Sequence, residues 1–188
     1  PKLVNVPISV DDIEGLVSFA QNNDVGLSIV GPEAPLVAGV VDAFTAAGLR
    51  CFGPSRGAAQ LEGSKAFSKD FLARHQIPTA AYGVFTELDQ ALDYLRRVGV
   101  PIVIKADGLA AGKGVILARD HDNAKQALRD MLSGNRFGEA GHRVIIEEFL
   151  TGEEASFIVM TDGDAILPLA TSQDHKARDE GDVVPNTV

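Results

Sequence analysis

The 188-residue chain carries 17 Lys and Arg against 26 Asp and Glu, a formal charge of −9, with a pI near 4.8. That acid excess argues against a protein that coats nucleic acid or an anionic membrane surface, since both rely on clustered basic residues. With 45% hydrophobic and 23% charged residues the composition is that of a globular protein rather than a disordered one.

The length suits one or two compact domains. Cys51 is the only cysteine, which excludes an intrachain disulfide or a cysteine-rich zinc cluster and fits a reducing compartment. It is expected to be buried as a small hydrophobe. No apolar run approaches the roughly 18 residues that span a bilayer, and residues 1–5 lack the features of a secretory signal. A cytoplasmic location is therefore expected. Opening on Pro1 without a Met, and starting and stopping inside recognisable units, the chain reads as a segment of a longer one.

In chain order, residues 11–22 predict a helix, and the apolar run at 27–30 predicts a strand that ends in Gly31-Pro32-Glu33-Ala34-Pro35. Leu36, Val37, Val40, Val41 and Phe44 then recur at helical spacing up to a stop at Gly48. A second strand over 49–52 and a turn at Gly53-Pro54-Ser55 into a further helix complete a βαβ unit of a parallel sheet. A helix over 65–75 follows, and Pro78 disfavours helix at Ile77. Thr86, with Asp89 three residues on, marks a helix start, and Leu88, Ala91, Leu92, Leu95 and Val98 form its apolar stripe. Strands over 100–105 and 114–118 flank a Gly-rich bend. A helix turning Ala124, Ala127, Leu128, Met131 and Leu132 inward comes next, then a strand over 143–149. Runs at 156–161 and 165–169 around Asp162-Gly163-Asp164 predict a hairpin. The charged stretch 176–182 reads as loop.

Two stretches carry chemical information. Between Lys105 and Gly114, three glycines (Gly108, Gly112, Gly114) fall within seven positions beside Lys105 and Lys113. Such a loop can aim several backbone N–H groups at one anion, and its lysines supply charge that the chain as a whole lacks. A polyphosphate would suit it. The spacing is not that of a Walker loop, and no helix pattern opens directly after the glycines as in the dinucleotide fingerprint. A turn with two solvated lysines is about equally compatible with the loop alone.

The second stretch, Glu147-Glu148-Phe149-Leu150 with Glu154 beyond it, is a strand end. It could offer backbone groups to a purine edge and a carboxylate to ribose hydroxyls. Taken alone, an ordinary strand end with solvated acids is the simpler reading. Glu33 likewise reads as a first-turn acid complementing a helix dipole. His75, His121 and His142 show no metal-ligand spacing. Asp174-His175-Lys176 brings three adjacent ionisable residues of both signs, which suits an anionic or amine substrate or a polar loop.

Several segments, in order along nearly the whole chain, resemble the phosphoribosylamine-glycine ligase (glycinamide ribonucleotide synthetase) family of the ATP-grasp superfamily. They are Gly31-Pro32-Glu33-Ala34-Pro35-Leu36, Gln60-Leu61-Glu62-Gly63-Ser64-Lys65, Lys105 through Gly114, Glu147 through Glu154, and Ser172-Gln173-Asp174-His175-Lys176. The resemblance implies an α/β fold in which a partial parallel-sheet N-terminal domain (1–63) precedes the first part of an ATP-grasp fold. That part comprises an α+β lid subdomain (83–152) and the start of the central domain (64–82 and 153–188).

It implies ATP-dependent ligation of glycine to 5-phosphoribosylamine through a glycyl phosphate, a step of purine synthesis, with neither nucleic acid nor membrane as partner. ATP would be held by Lys65, Lys105, Gly108, Gly112, Lys113, Gly114, Glu147, Glu148, Phe149, Leu150 and Glu154. Gly31, Pro32, Glu33, Asp174, His175, Lys176, Asn186 and Thr187 would lie on the substrate side. Mg2+ or Mn2+ would be held by residues beyond Val188, with no metal ligand in this segment, so the segment alone is expected to be inactive. Val183-Val184 departs from the Gly-containing sequence of the family. Another ATP-grasp carboxylate-amine ligase and a non-catalytic nucleotide-binding module are the alternatives.

Overall fold

A computed structural model describes residues 2–108, 114–133 and 142–173. The first helix, α1 (Ile13–Asn22), starts where the Asp12 carboxylate accepts from the Gly15 N–H at 2.9 Å. β1 (Ser28–Ile29) and β2 (Cys51–Phe52) pair in parallel, Ser28 opposite Cys51, as the βαβ reading requires.

The helix expected between them is in fact two, α2 (Glu33–Ala38) and α3 (Val40–Ala46). Gly39 separates them at φ +98°, a left-handed conformation that ends α2 and starts α3 and that a residue with a Cβ adopts only under strain. Hydrophobic periodicity continues across the break, which is why the pattern alone reads as a single helix. Val40, Val41 and Phe44 of α3 and Ala20 of α1 are buried together, with Leu16, Val30 and Leu36 packed around them. Cys51 sits half-buried at this core rather than fully inside it, and burial pushes its thiol pKa up.

Two capped helices follow. The Ser55 hydroxyl accepts from the Ala58 N–H ahead of α4 (Arg56–Gly63), and the Ser64 hydroxyl accepts from the Phe67 N–H ahead of α5 (Lys65–Arg74). At the far end of α5, His75 packs its ring against Phe71.

The next elements are β3 (Tyr82–Phe85), α6 (Leu88–Val98), β4 (Ile102–Ala106), β5 (Val115–Ala118), α7 (His121–Leu132) and β6 (Val144–Glu148). The four strands form an antiparallel sheet in the order β3-β6-β4-β5. β3 was not expected from the sequence: it is four residues long, half-buried throughout, and contains Gly83, so it shows no alternation. α6 begins one residue later than Thr86 and Asp89 suggest, after Glu87, and without a side-chain cap. Val98, expected inside, is exposed at its last turn.

Ala91, Leu95, Ala124, Ala127, Leu128 and Met131 of the two helices bury against Ile102, Ile104, Ala106, Val144 and Ile146. These strand residues alternate along β4 and β6, so period-2 geometry sends Lys105 and Glu147 to the sheet face away from α6 and α7. That alternation positions the site.

Residues through Glu148 form one compact unit and those from Phe149 a second. In the second, β7 (Val159–Thr161) and β8 (Ile166–Pro168) make the expected hairpin, Met160 opposite Leu167. The Asp162 carboxylate closes its turn by accepting from the Asp164 and Ala165 N–H groups at 3.0 and 2.8 Å.

Candidate functional site

Three charged side chains are buried among the described residues: Lys69, Asp107 and Glu147. Burying a charge is tolerated only where partners compensate it, so each marks a place where the structure has invested interactions. They fall in two clusters built from α5, the end of β4 and β6: Asp107 with Ser64, Ala66 and Arg143, and Glu147 with Lys69 and Lys105.

Asp107 directly follows β4. Its carboxylate accepts from the Ser64 hydroxyl (3.1 and 3.2 Å), the Ala66 N–H (3.1 Å) and the Arg143 Nε (2.7 Å). Its own N–H donates to the Arg143 carbonyl at 2.9 Å. Burial alone would raise its pKa. The hydrogen bonds from Ala66, Arg143 and Ser64, with the guanidinium charge, outweigh that and hold the carboxyl below the usual carboxylate value.

The next residue, Gly108, turns at φ +86°, and its carbonyl accepts from Lys65 Nζ at 2.7 Å. Burial pushes the Lys65 pKa down, against the attraction of Asp107 and Glu62. One carboxylate thus ties the first turn of α5 to the root of the Gly-rich segment, and the lysine opening that helix lies on the same root. Across the segment, the Gly114 carbonyl accepts from the Ala106 N–H at 2.8 Å.

The second cluster lies on the sheet face away from α6 and α7, where Lys69 of α5 reaches it. Glu147 Oε2 accepts from both Lys69 Nζ and Lys105 Nζ, each at 3.0 Å. Lys69 also donates to the Thr79 hydroxyl at 2.7 Å. Side-chain exposures of 10% for Lys69, 7% for Glu147 and 27% for Lys105 mark Lys105 as the outermost of the three. Glu148, on the other face of β6, is engaged as well: its N–H donates to the Ala81 carbonyl at 2.8 Å, and its Oε2 accepts from the Ala81 N–H at 3.2 Å. Lys65, Lys69, Lys105 and Arg143 face Glu62, Asp107, Glu147 and Glu148, so the site brings together basic charge that is balanced by local acids.

Of the residues singled out in the sequence, Lys65, Lys105, Gly108, Gly114, Glu147 and Glu148 are brought together by this fold. The expectation that Glu147 is an ordinary solvated strand-end acid is overturned, because its side chain is buried between two lysines. Gly31, Pro32 and Glu33 stand at the start of α2, where Gly31 and Pro32 border an apolar groove with Leu16, Phe19 and Val30. Phe149, Leu150 and Glu154 belong to the second unit, Leu150 being largely exposed. Gly112, Lys113, Asp174, His175, Lys176, Asn186 and Thr187 lie outside the described residues.

Sequence reasoning missed Lys69, Asp107, Arg143 and Ser64. Lys69 carried a legible signal, since it lies four residues after Lys65 and so one helical turn along the same face. Arg143 carried none, because its partner is 36 residues away.

The fold is shared with solved structures of low sequence identity. N5-carboxyaminoimidazole ribonucleotide synthetase from Thermus thermophilus superposes with a TM-score of 0.67 at 18% identity, over 89% of this chain and 42% of that one. The chain is α/β, and the ATP-grasp (A) domain model that matches residues 63–188 makes the part after the parallel sheet the first part of an ATP-grasp fold.

Two family models cover it: "Phosphoribosylglycinamide synthetase, N domain" matches residues 2–62, and "Phosphoribosylglycinamide synthetase, ATP-grasp (A) domain" matches residues 63–188. The chain belongs to the phosphoribosylglycinamide synthetase family. A curated relative, phosphoribosylamine–glycine ligase of Allochromatium vinosum, is 71% identical over 187 residues, 100% of this chain and 44% of that protein. The Thermotoga maritima phosphoribosylamine–glycine ligase structure superposes with a TM-score of 0.68 at 33% identity, over 73% of this chain and 35% of that one. The chain thus spans less than half the length of the curated relatives it matches. Among the described residues, no helix is long and apolar enough to cross a membrane.

Proposed function

We propose that this chain carries part of the active site of an ATP-dependent ligase that joins glycine to 5-phosphoribosylamine, giving glycinamide ribonucleotide, ADP and phosphate. The observation that carries this reading is the convergence of Lys65 and Lys105, from different elements, on the root of the Gly-rich segment in a chain of this family.

In the proposed reaction the glycine carboxylate attacks the γ-phosphate of ATP to form a glycyl phosphate and ADP. The amine of phosphoribosylamine then attacks the acyl carbon and expels phosphate. Phosphoryl transfer of this kind depends mainly on positioning and on neutralising charge. Lys65 and Lys105 supply the neutralisation, with Gly108, Gly112, Lys113 and Gly114 as the covering segment that keeps water from the acyl phosphate. Glu147, Glu148, Phe149 and Leu150 offer the strand end to the purine, and Glu154 the ribose carboxylate. Gly31, Pro32, Glu33, Asp174, His175, Lys176, Asn186 and Thr187 serve the substrates.

The domain division 1–63, 64–82 with 153–188, and 83–152 belongs to the same proposal, as does a cytoplasmic location. A divalent cation, Mg2+ or Mn2+, would neutralise the β- and γ-phosphates. As the family resemblance implies, we assign its ligands to the part of the relatives' length that this chain does not span, and no step is routed through it.

Two measurements test the reading. ADP release dependent on both glycine and phosphoribosylamine is expected from the native gene product that contains this chain and not from the 188-residue chain alone. No such activity in the longer product would overturn the assignment, and steady turnover by the short chain would overturn the placement of the metal ligands. Lys105→Ala is expected to weaken ATP binding about tenfold or more, because hydrogen bonds to charged groups are worth about 1.5–3 kcal/mol. An unchanged dissociation constant in a calorimetric titration would remove Lys105 from the site.

A further inference from the structure

The proposed nucleotide role asks Lys105 to give its charge to a phosphate, yet in this structure Lys105 is paired to Glu147, a carboxylate only 7% exposed. If Lys105 were the sole partner, its departure would leave a buried unpaired carboxylate, among the most costly states in a protein interior. The structure supplies a second partner. Lys69 donates to the same Oε2 at the same 3.0 Å and is anchored from behind by the Thr79 hydroxyl at 2.7 Å.

Exposure separates the two lysines: Lys69 is enclosed and Lys105 lies at the rim. Two cations on one carboxylate also repel each other, which lowers the cost of releasing the outer one. An arriving anion therefore finds one lysine ready to leave and one that stays.

We propose that Lys69 is a positioning residue for nucleotide binding. By holding Glu147 permanently, it frees Lys105 to move onto a phosphate group without stranding the buried carboxylate. The inference rests on the reading of Lys105 as a phosphate ligand. It assigns Lys69 no contact with the nucleotide, so its effect passes entirely through Glu147 and Lys105. Without Lys69, Glu147 would retain Lys105 as its only cation, and the nucleotide would have to compete for it.

The test is a double-mutant cycle on ATP affinity in the native gene product that contains this chain, with Lys69→Met, Lys105→Ala and the two combined. Each single change is expected to weaken binding about tenfold, in line with the value of charge-assisted hydrogen bonds. The combination should be within about twofold of Lys105→Ala alone, because once Lys105 is gone there is nothing left to release. Lys69→Arg, which keeps a cation against Glu147, should recover most of the loss.

Losses that multiply to about a hundredfold in the double variant, or Lys69→Met within twofold of the unsubstituted protein, would overturn the inference while leaving the reading of Lys105 intact. Unchanged affinity in Lys105→Ala would instead overturn that reading, and the inference with it. Should Lys69→Met not fold, Lys69→Met with Glu147→Gln removes both buried charges together. Lys105→Ala must then cost about the full tenfold in that background, where no carboxylate retains Lys105, and a cost below twofold there overturns the inference.

Discussion

Glu147→Ala is expected to destabilise the protein by about 3–5 kcal/mol, the cost typical of removing one partner from a buried ion pair. The carboxylate is the shared counter-charge of Lys69 and Lys105, each 3.0 Å away. Without it, two ammonium groups face each other with no anion between them. Lys105, the outer of the two, can swing toward water. Lys69 keeps the Thr79 hydroxyl and the face of the Tyr82 ring, 5.7 Å away, neither of which is an anion, and sits in an enclosure that water does not readily reach. It must remain charged and poorly solvated or open the contact between α5 and the sheet, and each lowers stability. Urea denaturation of the variant beside the unsubstituted protein reads the effect as a shift of midpoint at unchanged slope. A loss below about 1 kcal/mol, the range of exposed ion pairs, would show that the cluster is solvated and that its burial does not carry the energetics described.

Asp107→Asn is expected to be the next most damaging change, at about 2–3 kcal/mol, since the lost interactions are hydrogen bonds to a charged acceptor. Asn keeps the size, but its one carbonyl oxygen cannot accept from Ser64, Ala66 and Arg143 together, and its NH2 group faces a donor. Arg143 is half-exposed and falls back on water, so most of the loss is in the tie between the Ala66 N–H and the end of β4.

The pH dependence follows from the depressed carboxyl pKa. Asp107 titrates below its ordinary value of 3.8 in the folded state, so its stabilisation is present in full above the unfolded value and disappears as pH falls through the folded one. The stability difference between the unsubstituted protein and Asp107→Asn should therefore hold constant from neutral pH to about pH 5 and shrink at more acid pH. Taking the difference between the two proteins cancels the other carboxylates. A difference that stays constant into the acid range would show that Asp107 contributes through shape and not charge.

Much of the fold is legible along the chain because the relevant forces are local or periodic. Helices α1, α5, α6 and α7 fall where the sequence predicts helices, α6 and α7 on apolar stripes, and the structure adds caps at Asp12, Ser64 and Asp120. The hairpin at Asp162-Gly163-Asp164 is set by turn chemistry. The break at Gly39 and the strand β3 escape that reading. One depends on a backbone dihedral that hydrophobic spacing does not report, and the other on pairing with β6, some 60 residues away in sequence.

The candidate site divides in the same way. Residue types and spacing by themselves picked out Lys105 and the glycines after it, with an anion site and a solvated turn equally compatible, and the ordered set of motifs determined the family. Only the tertiary structure decided that Glu147 is buried between Lys69 and Lys105, and that Asp107 binds α5 to the segment root through Ser64, Ala66 and Arg143. The physical reason is that the charge state and partners of an acid depend on what packs over it. For Glu147 that is a helix 78 residues earlier, a distance across which no pattern in the sequence carries information.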